Sequence, residues 1–187
     1  MSEFQLETER LILREWRSAD IDPFHAICSD PLVMATLGPL MTRDQVAASV
    51  ERMQRLQRND GHCFWVMELK DDQRLVGWCG LIRGDVGTPV AGKLEAGWRI
   101  ASSEWRQGLA TEAAIASVQW AFDNRDDDAV WAITTTENLA SRAVMERLGM
   151  VHRVDLDFNH PKVEPDSPLL RHVTYSIDRN TWTRNRI

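Results

Sequence analysis

The strongest constraint on this chain lies at residues 97–122, GWRIASSEWRQGLATEAAIASVQWAF. Trp98, Arg99 and Ile100 read as the end of a strand. Ser102 and Ser103 open a turn, and Trp105-Arg106-Gln107-Gly108-Leu109-Ala110 carries it into a long Ala-rich helix. Ile115, Val118 and Phe122 recur at helical steps, with Ala114 and Ala121 beside them, so one face is apolar. A strand entering a helix N-terminus through small residues gathers free backbone N–H groups at one point. The helix dipole adds partial positive charge there. Such a point is either a phosphate site or an ordinary strand–helix connection.

The rest of the chain reads as elements set around that unit. Residues 6–16 form a first strand, and Ser18 opens a helix over 20–29. Asp30-Pro31 is an N-cap followed by proline at the first helical position, giving a short helix at 32–37 that Gly38-Pro39 ends. Thr42 and Gln45 have capping-box spacing. Behind them Val46, Val50, Met53 and Leu56 share a face, which predicts a helix over 42–58. After the turn Asn59-Asp60-Gly61 the period changes to two. Strands follow at 62–70 and 74–83, joined by Asp71-Asp72-Gln73, then a glycine-rich loop at 84–92 and a strand at 93–101. Beyond the long helix, Asp126-Asp127-Asp128 marks a loop and 129–135 a buried strand. Residues 138–148 form a short helix with Asn138 at its N-cap and Gly149 just past its end. A strand at 150–158, a proline-rich loop at 159–168 and a closing strand at 169–178 complete the order. Consecutive strands on short turns pair antiparallel, and the strand–helix–strand unit through 93–135 pairs parallel. The expectation is an α+β (mixed α/β) fold with helices on both faces of a mostly antiparallel sheet of about seven strands. No repeat or linker interrupts it, so residues 1–187 read as a single domain.

Composition narrows the partners. The chain has 22 basic and 28 acidic residues, a net charge of −6, and its Lys and Arg are scattered without a basic run. No nucleic-acid groove is expected. Cys28, Cys63 and Cys79 lack zinc or redox spacing and read as reduced, buried thiols of a cytoplasmic protein. The N-terminus is acidic and has no signal-peptide core. No apolar run reaches membrane-spanning length, so no membrane partner is expected.

Four segments together resemble the GNAT N-acetyltransferase superfamily. Residues 105–113, WRQGLATEA, are similar to its acyl-CoA loop, and Asn138-x-x-Ser141-x-x-Val144-Met145-Glu146-Arg147-Leu148-Gly149-Met150 to its second cofactor-contacting segment. Thr8-Glu9-Arg10-Leu11-Ile12-Leu13-Arg14 and Asp30-Pro31 resemble the ribosomal-protein N-terminal acetyltransferase (RimJ/RimL-like) branch. The resemblance runs from about residue 6 to residue 178. It implies a GNAT-like domain with a splayed parallel strand pair at the acyl-CoA site, and acetyl-CoA as co-substrate with no metal. The cofactor contacts it implies fall on Trp98, Arg99, Ile100, Arg106, Gln107, Gly108, Leu109, Ala110, Thr111, Asn138, Ser141 and Arg142. The main-chain N–H groups from Gln107 to Thr111 would take the pyrophosphate, with Gly108 letting the backbone come close. Asn138 would meet the pantetheine arm, cap its own helix, or do both. Arg142 or Arg147 would meet the 3′-phosphate, or form a solvated face.

The implied reaction is direct attack of an amine on the acetyl thioester. It needs a base, an oxyanion donor and a positioned amine. Glu95 is the first candidate for the base, because a carboxylate on a central strand is costly unless used or paired. Its other reading is an ion pair with Arg99, and Glu68 and His62 are weaker candidates. The oxyanion donor would be a main-chain N–H near Trp98–Ile100. Ser141 is either the proton donor to the departing thiolate or a helix cap. Two positions depart from the family pattern. Arg106 stands where glycine is usual, and Met145 where many members carry a tyrosine acid. They leave open an acyl-CoA-binding module without turnover. The acceptor is a peptide α-amine or a small-molecule amine, and an exposed strand edge leaves a homodimer open.

Overall fold

The computed structural model describes residues 3–184. The chain opens with β1 (Gln5–Glu7) and β2 (Leu11–Arg14), an antiparallel pair. One strand over 6–16 is thus replaced by two. Thr8 makes the turn: its N–H donates to the Leu11 carbonyl at 2.9 Å, and its hydroxyl accepts from the Leu11 N–H at 3.0 Å. Then come α1 (Ile21–Cys28), α2 (Pro31–Met34) and α3 (Arg43–Asp60). Asp30 caps α2, accepting from the Leu32 N–H at 2.9 Å. The capping box of α3 forms as its spacing predicts. The Thr42 hydroxyl accepts from Gln45 N, and the Gln45 side chain accepts from Thr42 N at 2.8 Å.

Three antiparallel strands follow: β3 (Phe64–Leu69), β4 (Leu75–Arg83) and β5 (Leu94–Ile100). Then come α4 (Leu109–Asn124), β6 (Ala129–Thr135), α5 (Leu139–Arg147), β7 (Val151–His152), β8 (Phe158–Asn159), β9 (Arg171–Asp178) and α6 (Arg179–Arg184). Among the described residues the sheet has nine strands in the order β1-β2-β3-β4-β5-β6-β9-β7, with β8 also pairing β9. About seven were expected. The excess comes from the split at Thr8 and from residues 150–158, which the sequence reads as one strand. Asp157 breaks that strand. Its carboxylate accepts from the Thr174 N–H at 3.0 Å, taking the place of a ladder bond, and meets His152 Nε2 at 3.0 Å. A 3-10 turn at Val154–Leu156 separates the two pieces. The short α6 had no counterpart in the sequence reading.

The helices lie on both faces. On one, Ser117 of α4 sits 3.6 Å from Cys79, and the Trp120 ring meets Trp65 edge-on at 5.1 Å. On the other, α1 approaches through Phe24 and Cys28, toward the Trp78 and Arg99 side of β4 and β5. Alternation along β3 and β4 explains the division: Trp65, Met67, Cys79 and Leu81 face α4, while Val66 and Trp78 face α1. Met67 and Leu81 are fully buried, and burying such a side chain contributes roughly 1.5–3 kcal/mol. Arg14 is the buried cation of the first strands. It forms a fork with Asp20 at 2.8 Å and pairs with Glu68 at 2.7 Å. The three cysteines are free and buried. Among the described residues no helix is long and apolar enough to cross a membrane.

Candidate functional site

The sheet opens between β5 and β6. These parallel strands share one register position, Glu95 opposite Trp131, and then diverge. The Ala101 N–H donates to the Val76 carbonyl at 2.9 Å, so by alternation the main-chain groups of Arg99 and Gly97 point to β4. Those of Trp98 and Ile100 point toward β6, where they have no register partner. The Ile100 carbonyl accepts from the Trp105 indole at 3.0 Å.

A cleft of about 1280 Å³ extends from this gap to the N-termini of α4 and α5, with α2 forming a further wall. Trp98, Arg99, Ile100, Arg106, Gly108, Leu109, Ala110, Thr111, Asn138 and Ser141 all line it. Gln107 and Arg142 do not. The Gln107 carbonyl is taken by Arg10 Nη1 at 2.9 Å, and its amide nitrogen by Glu104 at 3.1 Å. Arg142 turns away, donating to the Thr136 carbonyl at 3.1 Å and to Tyr175 Oη at 3.4 Å. The arginine of α5 that lines the cleft is Arg147.

The turn into α4 carries two left-handed residues and leaves the first N–H groups of the helix without intrahelical acceptors. Arg106 (φ 63) and Gly108 (φ 81) both adopt the left-handed conformation. For Arg106 this costs about 1–2 kcal/mol. At Gly108 an added Cβ would find only Arg10 Nη2 at 3.7 Å. Glycine is therefore favoured by the backbone angle, and nothing within the protein crowds the position. The Glu112 N–H donates to the Gly108 carbonyl at 3.0 Å, so those of Leu109, Ala110 and Thr111 precede the first helical acceptor and point out of the helix end.

Glu112 would repel an anion there, but it is neutralised from the start of the chain. Its carboxylate accepts from the Thr8 hydroxyl at 2.6 Å, the Arg10 N–H at 2.8 Å and Arg10 Nε at 2.7 Å. Burial pushes this carboxyl up. The Thr8 and Arg10 bonds outweigh burial and hold it below its ordinary range. Arg10 thereby ties the helix N-terminus to the Gln107 carbonyl. Sequence reasoning missed this latch, because the co-occurrence of two motifs a hundred residues apart was its only signal. Asp30 makes a second tie. Its carboxylate accepts from the Ser102 hydroxyl at 2.5 Å and so holds α2 against the turn after β5.

Asn138 caps α5, its side-chain oxygen accepting from the Ser141 N–H at 3.1 Å. Both residues border the cleft. Met145 is buried in the core.

Glu95 stands at the fork of β5 and β6 and does not line the large cleft. Alternation puts it on the same face as Arg99, away from α4. Burial, reinforced by the nearby Asp85 and opposed by Arg52, pushes its carboxyl from 4.5 to about 7. The alternative ion pair with Arg99 does not form. Arg99 donates instead to Cys28 Sγ at 3.0 Å and Met41 Sδ at 3.6 Å. Glu68 is committed to Arg14. His62 is buried, with its pKa lowered by that burial. Among the described residues no group of three or more His, Cys, Asp and Glu is gathered to hold a metal ion.

Comparison with known proteins gives a consistent family. The model described as "Acetyltransferase (GNAT) domain" matches residues 10–151. An uncharacterized protein of Bacillus subtilis, YkkB, is 29% identical over 147 residues, 78% of this chain and 84% of that one. The FsC-acetyl coenzyme A-N(2)-transacetylase of Aspergillus fumigatus is 38% identical over 92 residues, 49% of this chain and 39% of that protein. Among solved structures, a GNAT-family acetyltransferase from Bacillus anthracis superposes with a TM-score of 0.77 at 22% identity, covering 95% of this chain and 99% of that one. The RimL ribosomal L7/L12 alpha-N-protein acetyltransferase in complex with coenzyme A gives 0.77 at 11% identity, with coverages of 95% and 99%. These two likenesses are likenesses of fold.

Proposed function

The chain belongs to the GNAT acetyltransferase family, and from that premise we propose that it moves an acetyl group directly from acetyl-CoA to a primary amine within a ternary complex. The observation that carries this reading is the cleft itself. It runs unbroken from the β5–β6 gap to the unpaired N–H groups that begin α4. Those N–H groups suit a pyrophosphate, being fixed donors that need little ordering on binding. Arg106 and Arg147 at the cleft wall supply positive charge for the remaining phosphate. The Asn138 amide and the main chain of Trp98 suit the amides of the pantetheine arm.

Each side chain then has a task. Glu95, with its carboxyl near 7, takes the proton of the incoming ammonium, directly or through a water. The amine nitrogen bonds to the thioester carbon. A main-chain N–H of Trp98 or Ile100 meets the oxyanion. The carbon–sulfur bond then breaks, the nitrogen sheds its second proton to water, and the thiolate takes a proton from water, directly or through Ser141, which recovers its own from water. Met145 is a thioether and has no proton to give. The RimJ/RimL-like motifs favour a peptide α-amine as acceptor, with a small-molecule amine as the second choice.

Calorimetric titration with acetyl-CoA, with ATP and NAD as controls, tests the reading. Micromolar binding of acetyl-CoA alone, followed by thiol release with an amine panel, is the expected result. Absence of acetyl-CoA binding would refute it.

A further inference from the structure

Among the described residues, Arg99 is a cation without a carboxylate partner. Its guanidinium meets two sulfurs, Cys28 Sγ at 3.0 Å and Met41 Sδ at 3.6 Å, and two rings, Trp78 at 5.7 Å and Phe24 at 5.9 Å. None of these groups is charged, since burial keeps the Cys28 thiol protonated despite the nearby Arg99. Its Nε donor is buried and has no acceptor among the described residues. Arg14, a buried arginine on the same face of the sheet, has two carboxylates. A partly exposed guanidinium at the cleft wall whose neighbours are sulfurs and rings still has room for the carboxylate that such a planar fork pairs with best.

The position says which ligand. Arg99 lies on β5 past the last β5–β6 pair and borders the cleft. Its side chain projects toward α1, on the Glu95 face, whereas the anion cradle belongs to α4 on the opposite face. A group that reaches Arg99 from the Glu95 side belongs to the acceptor. We propose that Arg99 anchors a carboxylate of the acceptor, so that the amines this protein acetylates carry an acidic group. This rests on the acetyltransferase reading above. An amino acid and an acidic peptide present the same chemistry, and the planar fork of Arg99 suits either carboxylate.

Matched acceptors test it in the full-length protein by thiol release. One pair is alanine and alaninamide. The other is a tetrapeptide amide with Glu at position two and its Gln twin. The carboxylate member of one pair is expected to be favoured by about tenfold or more in kcat/KM, mainly through KM. The pair that shows the preference identifies the source. In Arg99→Gln the ratio between twins should fall to about one, with partial rescue in Arg99→Lys. The ratio cancels any general loss of folding or cofactor binding. Equal treatment of both members of both pairs by the unmodified protein overturns the proposal, and so does an unchanged ratio in Arg99→Gln. If turnover is too slow to measure, calorimetry of the same twins against the CoA-loaded protein decides, and no tighter binding of a carboxylate member overturns the anchor. Failure of acetyl-CoA itself to bind sinks the acetyltransferase reading instead, and the anchor with it.

Discussion

Replacing Glu95 with Gln should make the protein more stable and less active at the same pH. The carboxyl is half-buried at the β5–β6 fork, and burial together with Asp85 holds it at about 7 in place of 4.5. At 1.36 kcal/mol per pH unit, that displacement corresponds to about 3 kcal/mol of folding free energy. The sign follows from proton counts. Between pH 4.5 and 7 the folded protein keeps a proton that the unfolded chain releases. The wild type is therefore unpenalised below pH 4.5, loses stability as the pH rises through 7, and carries the whole penalty above it. Gln has no such proton. Glu95→Gln should match the wild type near pH 4.5 and exceed it by about 3 kcal/mol at pH 8, roughly 6–12 °C in Tm for a chain of this size. Its kcat/KM should fall by about a hundredfold or more, and the acid limb of the wild-type pH–rate profile near 7 should disappear. Urea unfolding of both proteins at pH 4.5, 6 and 8, paired with thiol-release kinetics, measures each quantity. A stability difference that stays constant with pH would refute the reasoning, because the carboxyl would then not be held protonated by the fold.

Arg106→Gly removes a left-handed arginine but adds a more flexible unfolded chain, so stability should change by less than about 1 kcal/mol. Acetyl-CoA affinity, read by calorimetry, should fall and lose part of its salt dependence; tighter binding would remove Arg106 from the phosphate site. Glu112→Ala strips Thr8 and Arg10 of their shared acceptor. It should cost about 1–3 kcal/mol in urea unfolding and weaken acetyl-CoA binding. An unaltered Kd would mean the loop keeps its shape without the latch.

Where the folding signal is local, the chain can be read directly. Thr42 and Gln45 cap α3, Asn138 caps α5, and β6 spans the seven residues its apolar run marks out, because caps and periodicity act within a few residues. The parallel pairing of β5 with β6 follows from the strand–helix–strand order alone. What escapes is set by distant side chains. Asp157 breaks a strand by occupying the Thr174 N–H, seventeen residues away. Thr8 and Arg10 hold Glu112 from across the molecule. The alternation that puts Glu95 and Arg99 on one face is visible in the sequence, and it suggested an ion pair between them. Arg99 turns instead to Cys28 and Met41, groups that only the packing of α1 and the following loop brings near.

The early end of the β5–β6 ladder gives one strand two classes of amide. Gly97 and Arg99 hand their protons to β4, while Trp98 and Ile100 aim theirs at the gap. In amide hydrogen exchange the run 97–100 should read as a comb, slow and fast by turns, inside an otherwise protected sheet. Any molecule that completes the ladder flattens the comb. Four consecutive amides thus report whether the cleft is filled, with no turnover and no knowledge of the acceptor.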